Sequence, residues 1–554
     1  MKTNWYKEAI IYQIYPRSFK DGNNDGLGDI PGIIEKIPYL KDLGVTCVWL
    51  SPIYDSPQED NGYDISNYKD IYPPFGTLED FIVMIKKMHE AGIKLIMDLV
   101  VNHTSTEHAW FQDVLNNKDS QYKDYYIIKK GRKNGKKPPN NWQGFFSGSV
   151  WEKLPNSDDE YYMHLFAKGQ ADLNWDNPKV REEVKDILRF WFDLGVDGFR
   201  CDVINLISKK SDFKNRFPTL VLTGKDAFIN GPNLHKYLKE LNDDVISKYD
   251  VFTVGEGPMT SLEDVKQLAG FDGHELDMVF NFNHVDVDDF FGVKYLGRKF
   301  SLRRFKKIYK KWQLGLKGHS WNTLFIENHD QRRSVGRFNT KEGNLESAKM
   351  LALTYLYMSG TPFIYQGQEI GMRQGHFKSL DEIVDVESHM IQRIRNKIFP
   401  IKMILSKKRM IEYSRDNART PMEWDDSEYA GFSKVEPWLR VNSDYKEVNV
   451  KNSLEDKNSL YHFYQELIKI RKQEETLKKG EYVPLYMNDS KVFAYKRVYQ
   501  NEEFIIVSNF FDKQIKRKFL SSLDDNDMIL SNYDSHIKGE LKPYECRLYK
   551  RKTI

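Results

Sequence analysis

The chain has 554 residues, 40% of them hydrophobic and 14% aromatic, which is too long for one core and predicts two or more domains. Its 83 basic and 80 acidic residues leave a formal net charge of +3, a near-balance that gives no case for nucleic acid as a partner. The three cysteines, Cys47, Cys201 and Cys546, form an odd, sparse set that argues for a reducing compartment.

Apolar, β-branched runs alternate with helical periodicity along most of the chain. Strands are expected over residues 9–16, 45–52, 94–103, 198–204, 251–256, 276–282, 322–330 and 362–371, with helical segments such as 77–90, 177–194 and 346–358 between them. Most of the runs are apolar on both faces, as strands of a covered parallel sheet are. Eight such strands with intervening helices predict a (β/α)8 barrel rather than a doubly wound sheet. Residues 104–175 are polar, aromatic and rich in Gly, Pro and Asn, too long for a plain loop, so they read as a subdomain inserted after the third strand. Within them the basic run 129–137 reads as a solvated hairpin tip. Near residue 479 the pattern changes to short alternating segments, 492–498, 504–509, 517–520 and 546–550, which predict a C-terminal antiparallel β-sandwich. The expected units are therefore barrel 1–103, insertion 104–175, barrel 176–478 and β domain 479–554. The first ten residues carry no apolar signal core, and no stretch approaches about 18 uncharged apolar residues. A cytoplasmic protein with no membrane partner is expected.

Three of the strand-like runs lead into a carboxylate: Gly198-Phe199-Arg200-Cys201-Asp202, Phe252-Thr253-Val254-Gly255-Glu256 and Ile326-Glu327-Asn328-His329-Asp330. Barrels deliver catalytic residues at the carboxyl ends of their strands, and acids gathered around one pocket are the equipment for breaking a glycosidic bond. Arg200 and Asp202 are two apart, so on a strand they share a face. The guanidinium is expected to hold the Asp202 carboxyl low and ionised, as suits a nucleophile; a structural ion pair would have the same spacing. Glu256, near another carboxylate, is expected to have a raised pKa and to serve as proton donor. His103 and His329 each follow an apolar run beside an Asn.

Together the strings DLVVNH, GFRCDVIN, VGEG and ENHD resemble the signature regions of the α-amylase superfamily, glycoside hydrolase family 13. The start AIIYQIYPRSF, the DNGYDIS segment and SRDNARTPMEW are similar to its α-glucosidase branch. The resemblance implies that Asp202 is the nucleophile, Glu256 the acid/base and Asp330 the stabiliser of the transition state. It implies that His103, Arg200 and His329 hold the glucosyl unit, and that Asp60 and Arg415 close the far end of its site. A closed end admits only a terminal sugar, so an exo-acting hydrolase is expected, with Tyr63 stacked on the glucose ring. Val203, after the nucleophile, goes in this branch with α-1,6 links, where Thr goes with α-1,4 links.

Two departures bear on the leaving group. Gly257 follows the acid/base where the branch has Met, and Arg332 stands where it has Pro. Sucrose, isomaltulose and trehalose 6-phosphate therefore remain open beside isomaltose-type substrates. The segment from Asp21 to Asp29 spaces oxygen ligands at alternate positions. The resemblance implies a structural Ca2+ held by Asp21, Asn23, Asp25, Leu27 and Asp29. No organic cofactor is expected, and the working state is taken as a monomer.

Overall fold

Eight short strands with apolar residues on both faces pair in parallel: β1 (Ile11–Ile14), β2 (Cys47–Leu50), β3 (Lys94–Leu99), β4 (Gly198–Cys201), β5 (Phe252–Glu256), β6 (Met278–Phe280), β7 (Thr323–Leu324) and β8 (Thr361–Tyr365). The computed structural model describes residues 3–146, 148–219, 222–289, 294–397 and 405–552; the outermost residues of the expected terminal units lie outside these. The strand order is β6-β5-β4-β3-β2-β1-β8-β7. A parallel bridge from Met278 to Trp321 joins the two ends and closes the barrel. Helices cover its outside. Leu78–Glu90 starts from a Thr77–Asp80 capping box and turns Phe81, Met84, Ile85 and Met88 inward. Pro178–Asp193 starts from an Asn177 cap and sets Phe192 against Phe199 of β4. Inside the barrel, aromatic rings from three strands meet: Trp49 lies 5.6 Å from Phe280, and Phe280 4.8 Å from Phe363. These rings fill the barrel beneath its carboxyl-terminal mouth.

The strands are shorter than expected, and most of the difference lies at their carboxyl ends. β3 stops at Leu99 instead of running to residue 103. His103–Ser105 then forms a separate antiparallel ribbon with Gln170–Asp172, so the two ends of the insertion are zipped together. β7 has only two residues, and Asp330 lies six beyond its end, in a turn. The cause is local competition for backbone amides. Glu327 accepts from Ser334 N, and Asn328 Oδ1 accepts from Asp330 N at 2.8 Å, which bends the chain away from a ladder.

The insertion carries a helix, Ala109–Asn116, and a three-stranded antiparallel sheet in which Glu160–Met163 lies between Ile128–Lys130 and Trp151–Lys153. The basic run 129–137 is its largely exposed hairpin tip, bridged from Arg132 to Lys137. At the C-terminus five antiparallel strands follow the order Glu481–Leu485, Val492–Tyr499, Glu502–Asn509, Cys546–Lys552, Met528–Ser531. One face (Phe493, Tyr495, Phe504, Ile506) joins the main core, and the other (Val492, Ala494, Ile505, Val507) makes a smaller core of its own. Residues 517–520, expected as a strand, instead enter a helical turn, Lys518–Ser522. There Arg517 is drawn aside to Asp489 at 2.6 Å. Among the described residues, no helix is long and apolar enough to cross a membrane.

Candidate active site

The site is built around one guanidinium. On β4, Arg200 lies opposite Asp98 of β3 in register. Its Nη1 is 2.9 Å from Asp98 Oδ1 and 2.6 Å from Asp202 Oδ1, and its Nη2 is 2.5 Å from Glu256 Oε2. The Arg200 side chain is only 3% exposed. Its charge sits 5.4 Å above the Trp49 ring, on the aromatic floor of the barrel. Alternation turns Cys201 into the wall, where burial pushes its thiol up to about 12.

Burial reverses one expectation. The Asp202 carboxyl is not held low by Arg200; desolvation outweighs that attraction and pushes it up to about 6. Glu256 is pushed further, to about 8, by burial and by the charges of Asp202 and Asp330, against the pull of Arg200. The order within the pair still gives an ionised Asp202 beside a protonated Glu256 at neutral pH. Activity should therefore peak between about 6 and 8. Below that window Asp202 takes up a proton and can no longer act as a nucleophile, and above it Glu256 has no proton with which to act as an acid. A kcat/KM profile from pH 5 to 9 checks this, and a plateau extending to pH 9 would contradict it.

Asp330 is the opposite case. Burial alone would raise its pKa, but the surrounding positive groups hold it well below the usual carboxylate range. His329 is itself neutral at pH 7, since burial pushes it down to about 3. The charges acting on Asp330 at that pH are therefore Arg415, Arg419 and Arg200. Arg419 Nη2 lies 2.7 Å and Arg415 Nη1 3.4 Å from Asp330 Oδ1. A hydrogen-bond chain fixes the neutral His329. The Gln13 amide nitrogen, which can only donate, is 2.7 Å from Nδ1, so the ring proton lies on Nε2. Nε2 then faces the Tyr63 hydroxyl at 2.7 Å, and that hydroxyl donates to Asp98 at 3.1 Å. The Tyr63 ring lies parallel to His329, 5.5 Å between centroids.

At the far end Arg415 Nη2 reaches Asp60 Oδ1 at 2.9 Å and is backed by Asp385 at 2.6 Å, so Arg415 ties Asp60 to Asp330. His103 is buried beside Asp60, its Nε2 2.9 Å from the Tyr63 carbonyl. Gln170, from the returning strand of the insertion, donates to that carbonyl at 3.1 Å and to Asp60 at 3.3 Å. Val203 adopts φ 35° and ψ 39°, a left-handed conformation that is strained for a β-branched residue. Its amide donates to Glu256 Oε2 at 3.2 Å.

All the expected catalytic and substrate residues thus meet at the mouth of the barrel. Asp98, Gln13, Gln170, Asp385 and Arg419 join them unannounced. Asp98 and Arg419 stood inside the motifs DLVVNH and SRDNARTPMEW, but their partners lie across the barrel. Of the two departures, Gly257 packs closely against Thr260, whose Cγ2 would have to move from the 2.7 Å at which a Cβ would meet it. Arg332 lies over the Tyr413 ring at 3.8 Å and pairs with Asp288 at 3.0 Å.

The loop between β1 and the first helix uses its oxygens to order backbone. Asp21 accepts from Asn24 N, Gly26 N and Ser433 Oγ, and Asp25 from Leu27 N and Asn23 Nδ2. Asp29 accepts from Gly22 N, Asn23 N and Gly32 N. The donors are hard oxygens of the kind calcium takes. Among the described residues, however, no three His, Cys, Asp or Glu side chains gather as a metal-holding group. Asp29 in particular is engaged as the helix cap.

Residues 13–480 match the alpha amylase catalytic domain family. The chain is 47% identical over 561 residues to the oligo-1,6-glucosidase of Parageobacillus thermoglucosidasius, covering 99% of both. It is 43% identical to the trehalose-6-phosphate hydrolase of Bacillus subtilis, over 99% of this chain and 98% of the relative. Among solved structures, the isomaltulose synthase of Klebsiella sp. LX3 superposes with a TM-score of 0.94 at 38% identity, over 99% of this chain and all of that one.

Proposed function

Because the chain belongs to the α-amylase family of glycoside hydrolases, we propose that it is an exo-acting, retaining α-glucosidase that removes terminal α-1,6-linked glucose from isomaltose and short isomalto-oligosaccharides. The observation that carries the reading is the divided carboxylate pair, Asp202 at about 6 and Glu256 at about 8, on one guanidinium. Ionised Asp202 attacks the anomeric carbon while Glu256 protonates the departing oxygen, giving a glucosyl-enzyme. Glu256, now a base, takes a proton from the water that releases glucose. Asp330, ionised throughout, lies against the positive charge that develops on the sugar ring. An inverting pair stands about 6.5–9.5 Å apart to hold a water between its members. The shared grip of Arg200 argues against such a gap.

The Asp60–Arg415 pair, closed at 2.9 Å, supports exo action, since a pocket ending at such a pair would admit only a terminal sugar. For the linkage, Val203 is the selector. It offers methyls where Thr would offer a hydroxyl, and a neutral hydrogen bond contributes about 0.5–1.5 kcal/mol. Val203→Thr keeps the branching that the φ of 35° already tolerates. It should raise the kcat/KM ratio of maltose to isomaltose by up to about tenfold without loss of fold. An unmoved ratio removes Val203 from that role.

Trehalose 6-phosphate is the rival substrate, since a relative acts on it and Arg332 adds a cation near Asp330. Asp288 already holds that cation at 3.0 Å, which favours a neutral leaving group. The deciding experiment is a panel of isomaltose, isomaltotriose, maltose, sucrose, isomaltulose, trehalose and trehalose 6-phosphate. The isomalto-oligosaccharides should give the highest kcat/KM; a maximum on trehalose 6-phosphate overturns the assignment. The same reading takes the enzyme as a cytoplasmic monomer without an organic cofactor. Calcium in the Asp21–Asp29 loop is proposed as a stabilising ion only, with Asp21, Asn23 and Asp25 keeping acceptor capacity for it. Calcium added to chelator-treated protein should raise Tm, and an unchanged Tm would leave the loop held by its hydrogen bonds alone.

A further inference from the structure

Behind His103 stands a buried lysine that the hydrolytic reaction does not use. Lys209 lies seven residues after Asp202 and is 3% exposed. Its Nζ is 2.8 Å from Asp172 Oδ2 and 2.8 Å from Asn102 Oδ1. An ammonium group has only donors, so it fixes which end of the Asn102 amide faces it: the carbonyl oxygen. The amide nitrogen is thereby turned to His103 Nδ1, 3.2 Å away. That nitrogen also only donates, so Nδ1 must be bare and the ring proton must lie on Nε2. Nε2 is 2.9 Å from the Tyr63 carbonyl, an acceptor, at the wall of the pocket; the Gln170 amide nitrogen is 3.2 Å from Nε2, but its two hydrogens go to the Tyr63 carbonyl and Asp60.

We propose that Lys209 is a positioning residue for the glucosyl pocket. Through the Asn102 amide it holds His103 in the neutral, Nε2-protonated form, whose proton, aimed at the Tyr63 carbonyl on the pocket wall, a sugar oxygen can share. The inference rests on the glycosidase reading for its consequence, though not for the tautomer itself. Without Lys209 the Asn102 amide is free to turn over, and its oxygen would then accept a proton from Nδ1. The ring could then take the other tautomer or a full positive charge.

Three charged groups face His103. Asp172, its cross-strand neighbour, and Asp60 favour the charged ring, and Lys209 opposes it. The rest of its surroundings are the Gln170 amide, the Tyr63 carbonyl and the Phe166 ring at 5.4 Å. Burial adds to Lys209 in keeping the ring neutral.

The test uses Lys209→Met combined with Asp172→Asn, which removes the ion pair without leaving a buried carboxylate unpaired, and separately Asn102→Asp, which keeps the Lys209 contact but offers an acceptor to Nδ1. Each is compared with the parent for kcat and KM on p-nitrophenyl α-glucoside from pH 5 to 9, a substrate that does not depend on linkage preference. The double variant should raise KM about tenfold, the scale of one hydrogen bond, with kcat little changed and KM climbing further on the acid side. Asn102→Asp should move that acid rise to higher pH. A double variant that folds with the parental KM and pH profile overturns the proposal. So does a uniform loss of kcat with an unaltered KM profile, which is what a merely structural lysine would give. Nitrogen-15 NMR of histidine-labelled parent reads the tautomer without turnover. The His103 ring, identified by its loss in His103→Gln, should carry its proton on Nε2, and a proton on Nδ1 overturns the proposal even if every variant fails to fold. A parent that releases no nitrophenol would instead overturn the glycosidase reading, while the NMR result would still decide the tautomer.

Discussion

Glu256→Gln should slow isomaltose hydrolysis by about 10²–10⁴-fold while leaving the fold intact, the range for loss of one general acid–base group. The amide has the shape of the acid but no proton to give at the leaving oxygen, and no basic oxygen to activate water afterwards. The alkaline limb of the pH profile, which belongs to a carboxyl at about 8, should disappear with it. On an activated aryl glucoside, azide, which needs no base, should restore turnover and yield the α-glucosyl azide. Survival of the alkaline limb in the variant would move the acid role to another residue.

Arg200→Met should cost both activity and stability. It removes the only cation within 3 Å of Asp98, Asp202 and Glu256 on the described contacts, and all three carboxyls are largely buried. Breaking a buried pair from one side costs about 3–5 kcal/mol, because a charge is left without compensation. The sign of the pH dependence follows. These carboxyls already sit above the ordinary range in the folded state, at about 6, 6 and 8, through burial. Loss of Arg200 raises them further. A carboxyl whose folded pKa exceeds its unfolded value binds more protons when folded, so stability falls as pH rises through that range. The Tm deficit of the variant should therefore be widest near pH 8 and narrow toward pH 5. A deficit of equal size at every pH would show that lost packing, and not buried charge, is responsible.

The barrel and the three acids were legible because they are written locally. A covered parallel strand needs an apolar run, and its end needs turn chemistry, so Asp202 and Glu256 could be placed from the sequence around them. Asp330 could be named but not placed. Its strand ends at Leu324, and the intervening bend is set by Glu327 and Asn328 capturing backbone amides, a competition that apolar periodicity does not record. The pKa of Asp202 departs from the sequence expectation for a related reason. Arg200 is two residues away and visible in the sequence, whereas the burial that outweighs it comes from the whole barrel. Asp98 opposite Arg200, Arg419 against Asp330 and Lys209 behind Asn102 are cross-strand or loop-to-loop partners. A single sequence carries no register from which to find them. The same limit explains residues 517–520, where alternation suggested a strand and the Arg517–Asp489 pair made a turn instead.

The central claim is that Asp202 and Glu256 act as a retaining pair on isomaltose. Proton NMR of isomaltose mixed with the enzyme at pH 7, followed from the first seconds, tests it most directly. The account predicts that the non-reducing unit is released as the α-anomer, so that α-glucose at first exceeds the share set by the anomeric mixture of the isomaltose reducing ends and then relaxes by mutarotation. An initial excess of the β-anomer over that share, or isomaltose left intact, would contradict it.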